Sequence, residues 1–166
     1  PMPVLVICPT TVVFNWKSEI QKFAPTLTTL ELSGVERKQF FKEIPNFDVV
    51  ITSYALIRRD IAKLKEYNFR YIILDESQNI KNAMSQTAQA VKKLQATHKL
   101  ALSGTPIENK LEELWSVFDF LMPGFLFSMA EFNSRYVNPI MERQDKTVEK
   151  RLKLQIYPFI LRRMKR

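Results

Sequence analysis

Short apolar runs recur along the first part of the chain, at residues 4–8, 27–32, 49–53, 71–75 and 99–103. Four of them are apolar nearly throughout, which is typical of strands buried on both faces of a parallel sheet. The run at 27–32 alternates more between apolar and polar residues. We therefore predict five strands, with the second at an edge of the sheet.

Segments with helical spacing lie between these runs, at residues 13–23, 35–43, 55–64 and 84–94, and the first stops before Pro25. The alternation of strands and helices predicts an α/β fold: a parallel sheet of about five strands with right-handed crossovers and helices on both faces. In open sheets of this kind, ligands bind outside the carboxyl ends of the strands. The residues at those ends are therefore the candidates for function.

The chain after residue 105 is predicted to be helical. An apolar stripe runs from Leu111 to Leu121 and stops at Pro123. A further helical stretch around residues 129–137 is expected to end near Pro139. Pro158 should interrupt a basic amphipathic segment that begins at about residue 147, because proline breaks helical hydrogen bonding. We predict a sheet domain at residues 1–122 and a helical appendage at residues 123–166.

Composition excludes several classes of protein. Hydrophobic residues make up 46% and charged residues 25% of the 166 residues, and no apolar run approaches the roughly 18 residues of a membrane helix. The chain has three glycines, Gly34, Gly104 and Gly124, so it contains neither a G-x-x-x-x-G-K-[ST] phosphate loop nor a G-x-G-x-x-G fingerprint. Its one cysteine, Cys8, lies in an apolar run, and we expect it to pack in the core.

The net charge of +8 is unevenly placed. Residues 141–166 hold nine basic and three acidic residues, so they carry +6 and leave +2 for the rest of the chain. A basic segment attracts phosphate backbones without sequence preference, and a solvated helix face explains the same charge equally well. Because the sequence shows no targeting signal, we expect an intracellular protein, in the cytoplasm or nucleoid of a bacterium or the nucleus of a eukaryote.

Two adjacent acids, Asp75 and Glu76, end the fourth predicted strand. In nucleotide hydrolysis, a first acid can hold Mg²⁺ through its water shell, and a second can orient or deprotonate the attacking water. Acids are also common near the start of a following helix, so the pair alone is weak evidence. The next strand, however, ends in Ser103, Gly104 and Thr105, where hydroxyls can sense a phosphate and glycine permits close backbone approach.

Five stretches together closely resemble the Swi/Snf family of ATP-driven double-stranded DNA translocases, within helicase superfamily two. They follow the family's order along nearly the whole chain: ICPTTVVFNWKSEIQKFAP, DVVITSYALIRRD, YIILDESQNIKNAMSQTAQAVKKL, KLALSGTPIENKLEELWSVFDFL and PFILRRMKR. The resemblance implies a first RecA-like lobe at residues 4 to about 122, then a helical protrusion that leads toward a second lobe. It implies ATP and magnesium as cofactors. It also implies three partners. They are double-stranded DNA, which is contacted through its phosphate backbone; a second RecA-like lobe of the same polypeptide; and a DNA-bound protein complex.

The resemblance also assigns roles to the residues at the strand ends. Asp75 and Glu76 match the magnesium-binding and water-activating acids of the DExx box, and Gln78 matches its nucleotide-sensing fourth position. Ser103, Gly104 and Thr105 match the motif that couples hydrolysis to lobe movement. Pro9, Thr10, Thr52 and Ser53 match stretches that contact strand phosphates, a role that suits small hydroxyls and backbone N–H groups. Trp16 matches the family's Asn-Trp pair, and we expect it to be mostly core.

Departures from the family pattern limit what this chain can do alone. Ser77 stands where the family usually has Ala, a change we expect to be tolerated. The phosphate loop with its lysine and the second lobe with its arginine finger are not among these residues, so we expect that the 166 residues alone do not hydrolyse ATP. A non-catalytic RecA-like scaffold that binds DNA or protein, and a strand-separating helicase, stay open as alternatives.

Several other residues are given no catalytic role. His98 is the single histidine, and we assign it none. The aromatic residues at positions 115, 118, 120, 125 and 127 have helical spacing and are expected to be mostly core. The basic residues Arg162, Arg163 and Lys165 are expected to brace the two lobes rather than to contact DNA.

Overall fold

A computed structural model describes residues 2–107 and 110–161. Five parallel strands form one sheet in the order β2-β3-β1-β4-β5. Their bounds are β1 (Val4–Cys8), β2 (Thr29–Glu31), β3 (Val49–Ser53), β4 (Asn68–Leu74) and β5 (Gln95–Ala101). The predicted parallel α/β fold is confirmed, and β2 lies at an edge as its alternating pattern predicts.

The register of the sheet brings the carboxyl ends of its central strands level. Cys8, the last residue of β1, pairs with Ser53 of β3, and Ile7 pairs with Leu74 of β4. The segments that follow these three strands therefore leave the sheet side by side. This edge is where the candidate residues meet.

Helices account for most of the remaining chain. The α-helices are α1 (Val13–Phe23), α2 (Tyr54–Leu64), α3 (Gln86–Lys92), α4 (Leu111–Leu121), α5 (Met129–Phe132), α6 (Asn138–Arg143) and α7 (Lys146–Ile156). The predicted helical segment at 35–43 takes the tighter 3-10 form over Val35–Asn46. Shorter 3-10 turns cover Thr10–Val12, Ser77–Ile80 and Tyr157–Phe159. In residues 2–107 and 110–161, none of these helices has the length and apolar character needed to cross a bilayer.

The two faces of the sheet are covered by different helices, because successive side chains of a strand point to opposite faces. Leu5 and Ile7 join a large cluster with residues of α2, α3 and α4. Val6 and Cys8 join a smaller cluster with residues of α1. Helices on both faces were predicted, and the two clusters confirm them.

The prediction that residues 99–103 form a strand buried on both faces is wrong. β5 begins at Gln95, ends at Ala101 and forms the second edge of the sheet. Leu100 is 44% exposed, and Tyr71 of the neighbouring strand is 39% exposed and packs against His98 with the two rings tilted. The physical reason is that the cluster of α1 does not extend to β5. Among the described residues, this cluster covers β1 and β3 and includes only Ile73 of β4.

A second group of helices packs beyond the sheet. Leu114 and Phe118 of α4 form a cluster with Phe132, Leu152 and Ile156, while other residues of α4 pack under the sheet. The aromatic residues predicted to be core lie in these clusters: Phe118 and Phe120 are buried, and Trp115, Phe125 and Phe127 are partly buried. α4 thus belongs to both cores.

Proline ends one of the predicted helices but not the other. The helix expected to stop near Pro139 continues to Arg143, because a π-helical turn at Asn133–Val137 precedes the proline and changes the hydrogen-bonding register. Pro139 lies in the first turn of α6, where proline is tolerated. Pro158 behaves as predicted: α7 ends at Ile156, and the proline lies in the 3-10 turn that follows. The basic residues at 162–165 lie outside the described residues.

Candidate active site

Backbone hydrogen bonds tie the end of β4 to the strands on both of its sides. The N–H of Asp75 donates to the carbonyl of Ile7 at 2.9 Å, and the N–H of Ser77 donates to the carbonyl of Leu102 at 2.8 Å. The acid pair therefore lies between the segments that follow β1 and β5.

Three further hydrogen bonds fix Asp75. Its Oδ1 accepts the backbone N–H of Glu76 at 2.9 Å, and its Oδ2 accepts the indole Nε1–H of Trp16 at 2.9 Å. The hydroxyl of Tyr54 donates to the Asp75 backbone carbonyl at 2.6 Å. Each carboxylate oxygen can accept about two hydrogen bonds, so contacts from residues 2–107 and 110–161 leave one acceptor position free on each oxygen.

Glu76 occupies an unusual backbone conformation. Its φ of 52° and ψ of 60° lie in the left-handed region, which costs a non-glycine residue on the order of 1–3 kcal/mol and is often found at active sites. Its Oε2 accepts Nε2–H of Gln78 at 2.6 Å, and its carbonyl accepts the Asn79 side-chain amide at 2.9 Å. The structure thus joins two residues of the predicted box, and Gln78 holds the Glu76 carboxylate in one position.

Ser103, Gly104 and Thr105 follow β5 beside the acids. The N–H of Thr105 donates to Ser103 Oγ at 3.4 Å, and Lys110 Nζ donates to Thr105 Oγ1 at 3.2 Å. A Cβ added at Gly104 would meet nothing within 4 Å. Contacts within the described residues therefore do not require glycine there, and close approach of a ligand to this backbone stays a prediction.

The four residues predicted to contact phosphates differ in exposure. Thr10 is exposed and Pro9 is half-buried at the 3-10 turn that leads into α1. Thr52 is fully buried, with its hydroxyl 3.4 Å from the Leu32 carbonyl, and Ser53 is 4% exposed. The predicted phosphate contact of the Thr52 hydroxyl does not fit this burial. The physical reason is that Thr52 lies within β3, one residue before the strand ends, and not in the turn that follows.

Two contacts of the candidate site were not predicted from the sequence. Trp16 packs against the cluster of α1, as expected of a core residue, but its N–H also reaches the predicted metal-binding acid. Tyr54 was given no role. Buried indole N–H and phenol O–H groups usually have a partner, which is the signal available from sequence, although it does not identify that partner. Burial, and then the nearby negative charge of Asp75, raise the pKa of the Tyr54 hydroxyl, so it remains a donor.

The site fits a hydrated magnesium ion rather than one enclosed by protein ligands. Within residues 2–107 and 110–161, no three His, Cys, Asp or Glu side chains form a group that could hold a metal. Mg²⁺ normally keeps several waters and binds through one or two carboxylates together with substrate phosphates. The free acceptor positions on Asp75 suit that arrangement.

Cys8 should be unreactive in the folded protein. It is fully buried, and burial, with a smaller effect of Asp75, raises the pKa of its thiol to about 12. Since the thiolate is the reactive form, about one thiol in 10⁴ is ionised at pH 8. We expect no reaction with Ellman's reagent at pH 8 under native conditions and full reaction in urea. Rapid labelling of the native chain would contradict the packing of this residue.

The sequence of the chain matches one family of domains and is similar to several curated proteins. The family described as the SNF2-related domain matches residues 1–166. Identity is 46% over 167 residues with the "Putative ATP-dependent helicase/translocase YwqA" of Bacillus subtilis (strain 168), covering 99% of this chain and 18% of that protein. It is 40% over 177 residues with the "TATA-binding protein-associated factor MOT1" of Saccharomyces cerevisiae, covering 99% and 10%. The chain thus spans less than a fifth of either relative.

Solved structures share the fold as well as the sequence. The Sulfolobus solfataricus SWI2/SNF2 ATPase core in complex with dsDNA superposes with a TM-score of 0.91 at 44% identity, over 98% of this chain and 34% of that one. The same organism's SWI2/SNF2 ATPase core domain superposes with a TM-score of 0.82 at 43% identity, over 98% and 33%. In both cases the matched region is about a third of the solved chain.

Proposed function

The chain belongs to the SNF2-related domain family, and from this premise we propose that it is part of the motor of an ATP-dependent translocase or remodeller that acts on double-stranded DNA. The observation that carries the proposal is the fixed acid pair: Asp75 and Glu76 lie where two central strands end, and Asp75 accepts hydrogen bonds from the Trp16 indole, the Tyr54 hydroxyl and the Glu76 N–H. Support also comes from the relative named as a helicase/translocase and from the similar ATPase core in complex with dsDNA.

The two acids divide the work of hydrolysis in this proposal. Asp75 would hold Mg²⁺ through water, and the ion would neutralise charge on the β- and γ-phosphates of ATP. Glu76 orients the attacking water and accepts its proton. Gln78 keeps the Glu76 carboxylate in place through the 2.6 Å hydrogen bond and reports on the nucleotide.

Ser103, Gly104 and Thr105 are proposed to couple the nucleotide to the movement of a second RecA-like lobe. The bond from the Ser77 N–H to the Leu102 carbonyl joins this segment to the acids. The phosphate loop and the second lobe are not among the 166 residues, so turnover is expected of a polypeptide that contains them and not of this chain alone. Residues 1–122 would then be most of the first lobe, and residues 123–166 its helical protrusion.

DNA is proposed to contact the turns that follow β1 and β3. Thr10 is exposed and follows Pro9, and Ser53, the last residue of β3, pairs with Cys8 at the end of β1. Ser53 is 4% exposed, so its proposed contribution is the start of α2 rather than an exposed hydroxyl, and the buried Thr52 hydroxyl is left out. Hydroxyls and backbone N–H groups bind phosphates without reading bases. A DNA-bound protein is proposed as a further partner, which is supported by a relative named TATA-binding protein-associated factor, and the protein is proposed to act inside the cell.

Thr10→Glu tests the DNA contact in the full-length protein. A carboxylate at the exposed turn repels phosphate, so we expect the affinity for double-stranded DNA to fall about tenfold, equally for unrelated sequences. The measurement is fluorescence anisotropy at fixed salt. Thr26→Glu introduces the same charge at an exposed position before β2, at the opposite edge of the sheet, and should change affinity less than twofold.

Two results would redirect the proposal. If Thr10→Glu and Thr26→Glu had equal effects, the turn after β1 would not be the DNA contact. If the full-length protein bound DNA but showed no DNA-stimulated ATP turnover, the non-catalytic scaffold would replace the motor. Strand separation would be indicated by release of a labelled strand from a duplex, and translocation by displacement of a triplex without unwinding.

A further inference from the structure

Two aromatic side chains hold Asp75 from opposite faces of the sheet. The Trp16 indole donates to the Asp75 carboxylate at 2.9 Å, and the Tyr54 hydroxyl donates to the Asp75 carbonyl at 2.6 Å. Trp16 packs with the cluster of α1, and Tyr54 packs with the larger cluster on the other face. Asp75 is thus held between two layers that pack independently.

Packing anchors each ring in the hydrophobic cluster of its own face of the sheet. Tyr54 is 6% exposed and Trp16 is half-buried. A buried aromatic residue needs a partner for its polar atom, and that need explains each bond separately. The need for a partner does not explain why both donors bond to the same residue, although they lie 59 and 21 positions from it in sequence. It also does not explain why that residue is the acid at the carboxyl end of β4.

Each aromatic residue is attached to one of the turns proposed to contact phosphate. Trp16 lies on α1, which continues from the 3-10 turn Thr10–Val12 that begins after Pro9. Tyr54 is the first residue of α2 and directly follows Ser53. Because packed helices are rigid elements that carry displacement between sites, a movement of either turn moves the attached ring and its hydrogen bond.

We propose that Trp16 and Tyr54 are positioning residues that couple phosphate contact at these two turns to the orientation of Asp75. The inference rests on the proposed function and deepens it by naming how DNA regulates the site. A DNA backbone that contacts both turns fixes the spacing of α1 and α2. The indole N–H and the phenol O–H then hold Asp75 in the orientation that supports hydrolysis, and without DNA this orientation is less restricted.

The test compares donor-deleting variants of the full-length protein. Trp16→Phe and Tyr54→Phe keep an aromatic ring and remove one donor each. Trp115→Phe and Tyr136→Phe are matched controls, since Trp115 donates to the Phe127 carbonyl at 3.2 Å and Tyr136 donates to the side chain of Gln155 at 2.8 Å, both away from the strand ends. ATP turnover is measured at saturating ATP and magnesium, with and without saturating double-stranded DNA.

The expected result is a loss of DNA stimulation. The ratio of the DNA-saturated rate to the DNA-free rate should fall about tenfold in Trp16→Phe, whose bond is to a carboxylate, and about threefold in Tyr54→Phe, whose bond is neutral and weaker. The ratio should stay within about twofold in both controls. Circular dichroism melting of each variant verifies that the substitutions leave the fold intact.

Two results would overturn the coupling. If both rates fell by the same factor, the aromatic residues would merely hold the acid, independently of DNA. If the lost stimulation returned at higher DNA concentration, they would act in DNA affinity instead. Failure of the proposed function looks different, because the unmodified full-length protein would then show no DNA-stimulated turnover, and the inference would fall with it.

Discussion

Glu76→Gln in the full-length protein is expected to lower DNA-stimulated ATP turnover by about 10²–10⁴-fold, the usual contribution of a positioned general base. The amide has nearly the shape of the carboxylate but cannot accept a proton from water. The Gln78 side chain, which lies 2.6 Å from the Glu76 carboxylate, can still hydrogen-bond to the new amide oxygen. The local geometry should therefore survive while the chemistry is lost.

Two measurements separate this loss of chemistry from a loss of binding. ATP turnover is measured at saturating ATP and DNA, and nucleotide affinity is measured with a fluorescent ATP analogue, which we expect to bind within about threefold of the unmodified affinity. Glu142→Gln makes the same change at an exposed position in α6 and should leave turnover unchanged. Unchanged turnover in Glu76→Gln would remove Glu76 from the catalytic role.

Asp60→Ala is expected to destabilise the chain by about 3–5 kcal/mol, the effect of leaving one partner of a buried ion pair without the other. Arg37 Nε donates to Asp60 Oδ2 at 2.6 Å, and a second guanidinium nitrogen donates to Oδ1 at 2.8 Å. The side chains are 7% and 0% exposed. The hydrogen bond to Asp60 raises the pKa of Arg37 in the unmodified chain. Without Asp60 the guanidinium would still stay charged in the core, because the ordinary pKa of arginine lies far above neutral pH.

Urea unfolding followed by far-UV circular dichroism measures this effect. Lys63→Ala is the matched control, because it removes an ion pair with Glu66 whose side chains are 53% and 58% exposed, and such pairs contribute about 0–1 kcal/mol. The double variant Arg37→Met with Asp60→Leu removes both charges and should recover most of the lost stability. Equal midpoints for Asp60→Ala and Lys63→Ala would show that the buried pair does not anchor the Val35–Asn46 segment to α2.

Local pattern predicted the elements better than it predicted their environment. The bounds of β1, β3 and α1 match the predicted segments, because the spacing of apolar residues depends only on the local sequence. The burial of β5 was overestimated, because a strand's burial depends on which helix covers it and not on its own composition. Pro139 was expected to end a helix, but the π-helical turn at Asn133–Val137 comes just before it, and the helix continues to Arg143.

The candidate site divides in the same way. The sequence alone shows the acid pair, the Ser-Gly-Thr segment and the absence of a phosphate loop, since each is defined by residues that are neighbours in sequence. The partners of Asp75 cannot be read there: Ile7, Trp16 and Tyr54 approach it from three different segments. The burial of Thr52, which changes the proposed DNA contact, also depends on its tertiary neighbours, including the Leu32 carbonyl.

The sequence by itself determined the class of fold, the order of the strand-end motifs and the family they resemble, because these follow from local spacing and residue chemistry. Only the tertiary structure decided that β1 lies between β3 and β4. That strand order brings the turn after β1, the start of α2 and Asp75 to one edge of the sheet. The physical reason is that periodicity specifies which residues are buried, whereas the partner of a buried N–H, O–H or carboxylate is selected by long-range packing of the whole chain.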